Sequence, residues 1–141
     1  MLRLFTTLSI AILLSIGHVQ AEEIVENNLP LFVTITAKWC TSCQSLKPIV
    51  EELEYEYQGK VRFLTLDNSS KQTIDESLEK AEKEDIKWFY EKNKATLPIV
   101  GVFCGAKDTA IKEFQAQTEK GIYQAYLDNL VINGTQICSL K

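Results

Sequence analysis

Beyond its first 21 residues this chain contains no histidine and no methionine: the single histidine is His18 and the single methionine is Met1. Without an imidazole, the rest of the chain cannot assemble a Ser-His-Asp or Cys-His nucleophile pair. It cannot build a Cys₂His₂ zinc site either, nor a copper site supported by histidine or methionine. Any metal there must be held by cysteine thiolates or carboxylates. The net charge is −4, and no basic patch or arginine-rich stretch interrupts the acidic balance. Phosphate binding depends on clustered Lys and Arg, so nucleic acid is excluded as a partner and the charge reads as solubility. There is no glycine-rich phosphate loop, no dinucleotide fingerprint, no internal repeat and no low-complexity segment.

The N-terminus carries an address rather than a fold. Arg3 precedes an apolar stretch from Leu4 to Ile16, and Val19-Gln20-Ala21 offers a small-residue cleavage site. The pattern predicts an export signal over residues 1–21, cleaved after Ala21 or else retained as an N-terminal anchor. The stretch is short for a membrane span, which takes about 20 apolar residues. Export places the cysteines in a compartment that tolerates disulfides. Residues 22–141 remain, about 120 residues, which is one domain's worth of chain with a real core. Loss of Arg3 makes that domain one charge more acidic.

What the chain does have is four cysteines, two of them in Trp39-Cys40-Thr41-Ser42-Cys43. The motif follows an apolar, strand-like run from Leu31 to Ala37 and opens a helix-like segment. A helix N-terminus has unpaired N–H groups and about half a positive charge, which favours a thiolate over a thiol. The thiolate is the reactive form, and a second sulfur nearby can resolve a mixed disulfide. The spacing therefore points to dithiol–disulfide exchange, with a zinc half-site as the usual competitor.

The periodicity predicts strands over 31–36, 61–66, 99–104 and 109–114. It predicts helices over about 40–58, 70–93 and 118–131, with a short tail over 132–141. Leu46, Ile49, Val50 and Leu53 form an apolar helix stripe, and Glu51, Glu52, Glu54 and Glu56 read as its solvated face. Pro48 should kink that helix and Gly59 should end it. The 70–93 helix should break near Glu84-Asp85, and Thr118 should cap the last helix. The order implies an α/β fold, a central mixed sheet of about four to five strands flanked by helices.

These residues together resemble the thioredoxin-fold family. Trp39-Cys40-Thr41-Ser42-Cys43 is similar to its Trp-Cys-x-x-Cys, Pro48 to its helix-kinking proline, and Thr96-Leu97-Pro98 to its cis-proline loop. Glu119-Lys120-Gly121 through Leu130 is similar to its closing helix, so the likeness covers about residues 31–131. The resemblance implies that Cys40 is the nucleophile and Cys43 the more buried resolving cysteine. It implies that Trp39 shields the pair, that Pro98 is cis, and that the Leu97 backbone offers hydrogen bonds to a substrate strand. Only an X–Pro bond accepts the cis form cheaply.

The chain departs from the family's reductases at two places. Thr34 stands where those proteins commonly carry a buried carboxylate, so water or another group must accept the Cys43 proton. The inter-cysteine pair is Thr41-Ser42 rather than Gly-Pro. In the implied topology Cys104 lies at the pole opposite Cys40, and the tail bearing Cys138 emerges near it. A structural Cys104–Cys138 disulfide is the favoured expectation, and a second redox pair relaying electrons is the rival. Trp88-Phe89-Tyr90 lies in an enlarged central helix, where packing on the sheet competes with a specificity surface.

The expected function is a thiol–disulfide oxidoreductase, reduction favoured over oxidation, acting on disulfide-bearing protein substrates as a monomer. No bound cofactor is needed, and a membrane thiol electron donor is implied. An oxidant or isomerase, and a non-catalytic module binding Cu(I) or a partner, are the alternatives. Asn68-Ser69-Ser70 and Asn133-Gly134-Thr135 fit the N-glycosylation pattern. The C-terminus, Cys138-Ser139-Leu140-Lys141, is not an ER-retention signal, so a bacterial periplasm is the simpler location.

Overall fold

Leu31–Thr36 forms strand β1, and its first five residues are buried. Alternate residues of a strand face opposite ways, so burial of immediate neighbours means that both faces of the sheet are covered. Leu31, Val33 and Ile35 enter one hydrophobic core. Phe32 enters the other. The computed structural model describes residues 29–105 and 109–139. The expected export signal, 1–21, lies outside them.

The remaining elements are α1 (Thr41–Glu56), β2 (Arg62–Asp67), α2 (Lys71–Lys83), α3 (Lys87–Asn93), β3 (Ile99–Phe103), β4 (Lys112–Gln115) and α4 (Lys120–Ser139). The four strands make one sheet in the order β2-β1-β3-β4. β1 and β2 run parallel. β3 is antiparallel to both β1 and β4. This is the mixed, helix-flanked α/β sheet that the order of elements implied. Helices α1 and α4 supply Leu46, Val50, Leu53, Tyr123, Leu127 and Leu130 to the core that holds Phe32. Helices α2 and α3 supply Ala81, Phe89 and Tyr90 to the core on the other face. Gly101 of β3 lies against that second core, where an added Cβ would stand 2.6 Å from the Phe89 ring.

Local chemistry sets the boundaries. α1 runs through Pro48 and ends before Gly59, whose φ of 73° is one that glycine adopts without strain. Ser70 and Thr73 form a reciprocal capping pair that starts α2. The long charged segment does break where expected: Asp85 is left-handed, with φ 57°, and Ile86 turns inward to complete burial.

Three expectations are corrected. The segment expected as a tail over 132–141 is helical as far as Ser139, because α4 continues through it. The last strand begins at Lys112 rather than Thr109, since its ladder partners on β3 run only from Ile99 to Val102. Thr118 does not cap α4; the Gln117 side-chain oxygen accepts the N–H groups of Thr118 and Glu119, both at 2.9 Å.

Candidate active site

The turn after β1 delivers Cys40 to the N-cap position of α1. That position normally holds Ser, Thr, Asp or Asn, whose oxygen accepts an orphan backbone N–H. Here the Cys40 sulfur does so, accepting the Cys43 N–H at 3.2 Å. The first turn of α1 has no acidic residue to oppose negative charge on that sulfur. Cys40 and Cys43 are joined by a disulfide, with Cα atoms 5.2 Å apart. Cys40 is half-buried and Cys43 only 1% exposed, so the pair presents one sulfur outward and hides the other. Trp39 is 68% exposed, an unusual position for an indole, and it flanks the outward sulfur.

Leu97 and Pro98 lead into β3. Their peptide bond is cis. Antiparallel pairing sets Ile99 opposite Ile35, so Pro98 lies at the same end of the sheet as the Cys40 turn. Pro98 is buried, and its carbonyl accepts the Ala116 N–H at 2.9 Å. Leu97 is half-buried against the α2–α3 core.

Thr34 lies on the α1 side of β1 and is 4% exposed. Its hydroxyl has no hydrogen-bond partner. A cavity of about 500 Å³ lies beside it, lined by Thr34, Cys43, Leu46, Val50 and Thr65 among others. Lys47, Glu51 and Glu54 also line this cavity, so the buried Cys43 backs onto a space with ionisable groups.

The second cysteine pair lies elsewhere. Phe103 pairs with Leu31, at the end of the sheet remote from Pro98, and Cys104 follows it. Cys104 and Cys138 are joined by a disulfide across a sequence separation of 34. Cys138 lies near the end of α4, and Cys104 is buried. Among the described residues no group of three or more His, Cys, Asp or Glu stands together as a metal site. Of the central aromatic run, Phe89 and Tyr90 are fully packed, while Trp88 is 38% exposed with the Lys92 ammonium 5.9 Å from its ring.

Sequence reasoning did not single out Asn68 except as a glycosylation acceptor. Asn68 is 8% exposed and both ends of its amide are engaged, so the folded protein does not offer it for that modification. Asn133 is exposed on α4 and donates to Asn129 at 2.7 Å.

A sequence profile described as Thioredoxin matches residues 17–114. A thioredoxin of Rickettsia bellii is 30% identical over 103 residues, covering 73% of this chain and 78% of that protein. A thioredoxin of Rickettsia conorii is 42% identical over 45 residues, 32% of this chain; the match spans 43% of that relative's length. Among solved structures, a chain from the structural basis of the thiol resolving mechanism in yeast mitochondrial 1-Cys peroxiredoxin via glutathione/thioredoxin systems gives a TM-score of 0.50 at 18% identity. That similarity covers 81% of this chain and 91% of the other, and at such identity it is a likeness of fold.

Proposed function

Because this chain belongs to the thioredoxin family, we propose that it is a thiol–disulfide oxidoreductase that reduces protein disulfides in the periplasm. The observation that carries the reading is the Cys40 sulfur at the N-cap of α1, accepting the Cys43 N–H at 3.2 Å and bonded to a buried partner sulfur. A thiolate at Cys40 gains from that N–H and from the helix dipole.

In the reduced protein the Cys40 thiolate attacks one sulfur of a substrate disulfide. That disulfide breaks, its second sulfur leaves and takes a proton, and a mixed disulfide joins Cys40 to the substrate. Cys43 then loses its proton and attacks the Cys40 sulfur. The Cys40–Cys43 bond forms, the mixed disulfide breaks, and the substrate departs with both thiols reduced. Two electrons have passed to the substrate, and a membrane thiol donor restores the dithiol. Trp39 and the Leu97–Pro98 backbone form the two sides against which an extended substrate segment lies. The export pattern at the N-terminus supports the location.

The test is insulin reduction with dithiothreitol. Turnover is expected from the intact protein and background rates from Cys40→Ser; equal turnover in the variant overturns the mechanism. Protein recovered from the periplasm is expected to begin at Glu22, whereas a retained Met1 in the membrane fraction assigns an anchor instead.

A further inference from the structure

Three segments of backbone converge at the end of the sheet that carries Cys40: 36–40 before α1, 67–70 after β2, and 94–98 before β3. The middle one is bonded to both of the others. Toward the cysteine turn, the Asn68 N–H donates to the Thr36 carbonyl at 2.8 Å. The Ser69 hydroxyl oxygen accepts the Lys38 N–H, also at 2.8 Å. Asp67 holds Ser69 in place by accepting both its backbone N–H and its hydroxyl. Toward the cis-proline loop, the Asn68 side-chain amide donates to the Lys94 carbonyl at 2.7 Å. Its oxygen accepts the Tyr90 hydroxyl at 2.5 Å. Lys94 is the C-cap of α3, and Leu97-Pro98 follow it by a few residues.

None of these bonds involves a sulfur, so the chemistry of exchange does not need them. What they do is tie together the two loops that flank the outward sulfur. Asn68 is suited to this because its amide has a donor at one end and an acceptor at the other. Tyr90 is 1% exposed, so its hydroxyl has no access to bulk water as a substitute partner. Losing Asn68 leaves that hydroxyl unsatisfied and releases the Lys94 carbonyl, which is a strong incentive for the loop to shift.

We propose that Asn68 is a positioning residue that fixes the spacing between the Trp39–Cys40 turn and the Leu97–Pro98 loop, and thereby selects extended polypeptide disulfides over small ones. The proposal rests on the oxidoreductase reading above. An extended chain must touch both loops at once, so its reaction depends on their separation. A small disulfide needs only the Cys40 sulfur. Displacement of a positioning element costs rate steeply only for the substrate that the element positions.

The experiment compares two substrates, insulin and 5,5′-dithiobis(2-nitrobenzoate), on the intact protein and two variants. Asn68→Ala is expected to raise KM for insulin about tenfold, while the rate with the small disulfide stays within about twofold. Tyr90→Phe deletes a single oxygen and leaves the Asn68 oxygen without its donor; it is expected to move the insulin-to-small-disulfide ratio in the same direction by about threefold. It carries the test if Asn68→Ala does not fold. An unchanged ratio in the folded variants, whether both activities fall together or neither falls, overturns the proposal. If the intact protein reduces neither substrate, the oxidoreductase reading itself fails, and that result is visible before any variant is made.

Discussion

The two disulfides are the same bond closing loops of very different length at opposite ends of the sheet. Cys40–Cys43 spans three positions, starts a helix and shows one sulfur to solvent. Cys104–Cys138 spans 34 positions and joins the far end of β3 to the end of the last helix. A cross-link that closes a short loop removes little freedom from the unfolded chain, whereas one that closes a loop of this length removes much more. The first is therefore nearly idle as a staple and accessible to exchange. The second is effective as a staple.

Deleting each pair in turn separates exchange from cross-linking. Cys40→Ser is expected to reduce turnover to background while the urea midpoint moves little. Cys104→Ala combined with Cys138→Ala is expected to cost up to about 4 kcal/mol of stability, with turnover of the folded protein unchanged. Denaturant titration read beside the insulin assay checks both arms. Loss of activity in the folded double variant would reveal an electron relay between the pairs.

A gentler probe sharpens the contrast without mutation. Under graded dithiothreitol, Cys40–Cys43 is expected to open well before Cys104–Cys138, because the Cys40 sulfur sits at the N-cap of α1, where it is stabilised as a leaving thiolate. Mass spectrometry after alkylation counts the labelled cysteines at each step. Simultaneous labelling of all four would erase the distinction.

The smallest effect concerns a non-covalent tie with the same purpose as the far disulfide. The Lys120 ammonium, at the start of α4, reaches Glu52 and Glu56 of α1 at 2.6 Å each. Its hydrogen bond, with a second from Gln124, holds the Glu56 carboxyl below its ordinary 4.5. Hydrogen bonds to Glu52 and Glu56 hold the Lys120 ammonium above 10.5. A depressed carboxylate stabilises the fold above its unfolded value, and that contribution is lost as pH falls through its folded value; a raised ammonium does so below its unfolded value and is lost as pH rises through its folded one. Lys120→Met should therefore lower the urea midpoint slightly near neutral pH, with the gap from the intact protein closing below 4.5. Added salt should narrow it too, since the pairs are exposed.

Much of this was legible in the sequence. The run Leu31 to Thr36 announced a strand, and Trp39 to Cys43 placed the cysteine turn after it. Thr96-Leu97-Pro98 marked the second loop at the same end. What escaped was long-range. Asn133-Gly134-Thr135 reads as a poor helix former, yet α4 continues through it because Leu130 and Ile137 pack on the core and Cys138 bonds Cys104. Asn68 looks like an ordinary turn residue after a strand. Only its bonds to Tyr90 and Lys94, more than 20 positions away, reveal what it holds.

The inward orientation of Asn68 has a practical corollary for anyone producing this protein. In a eukaryotic secretory host, oligosaccharyl transfer reads Asn68-Ser69-Ser70 on the nascent polypeptide, before the amide has been sequestered. A sugar attached there occupies the nitrogen that Lys94 requires and is far too large for the space it must enter. Bacterial expression, or Ser70→Asp, which erases the acceptor triplet while keeping an N-cap residue for α2, avoids manufacturing a chain that its own carbohydrate would keep open.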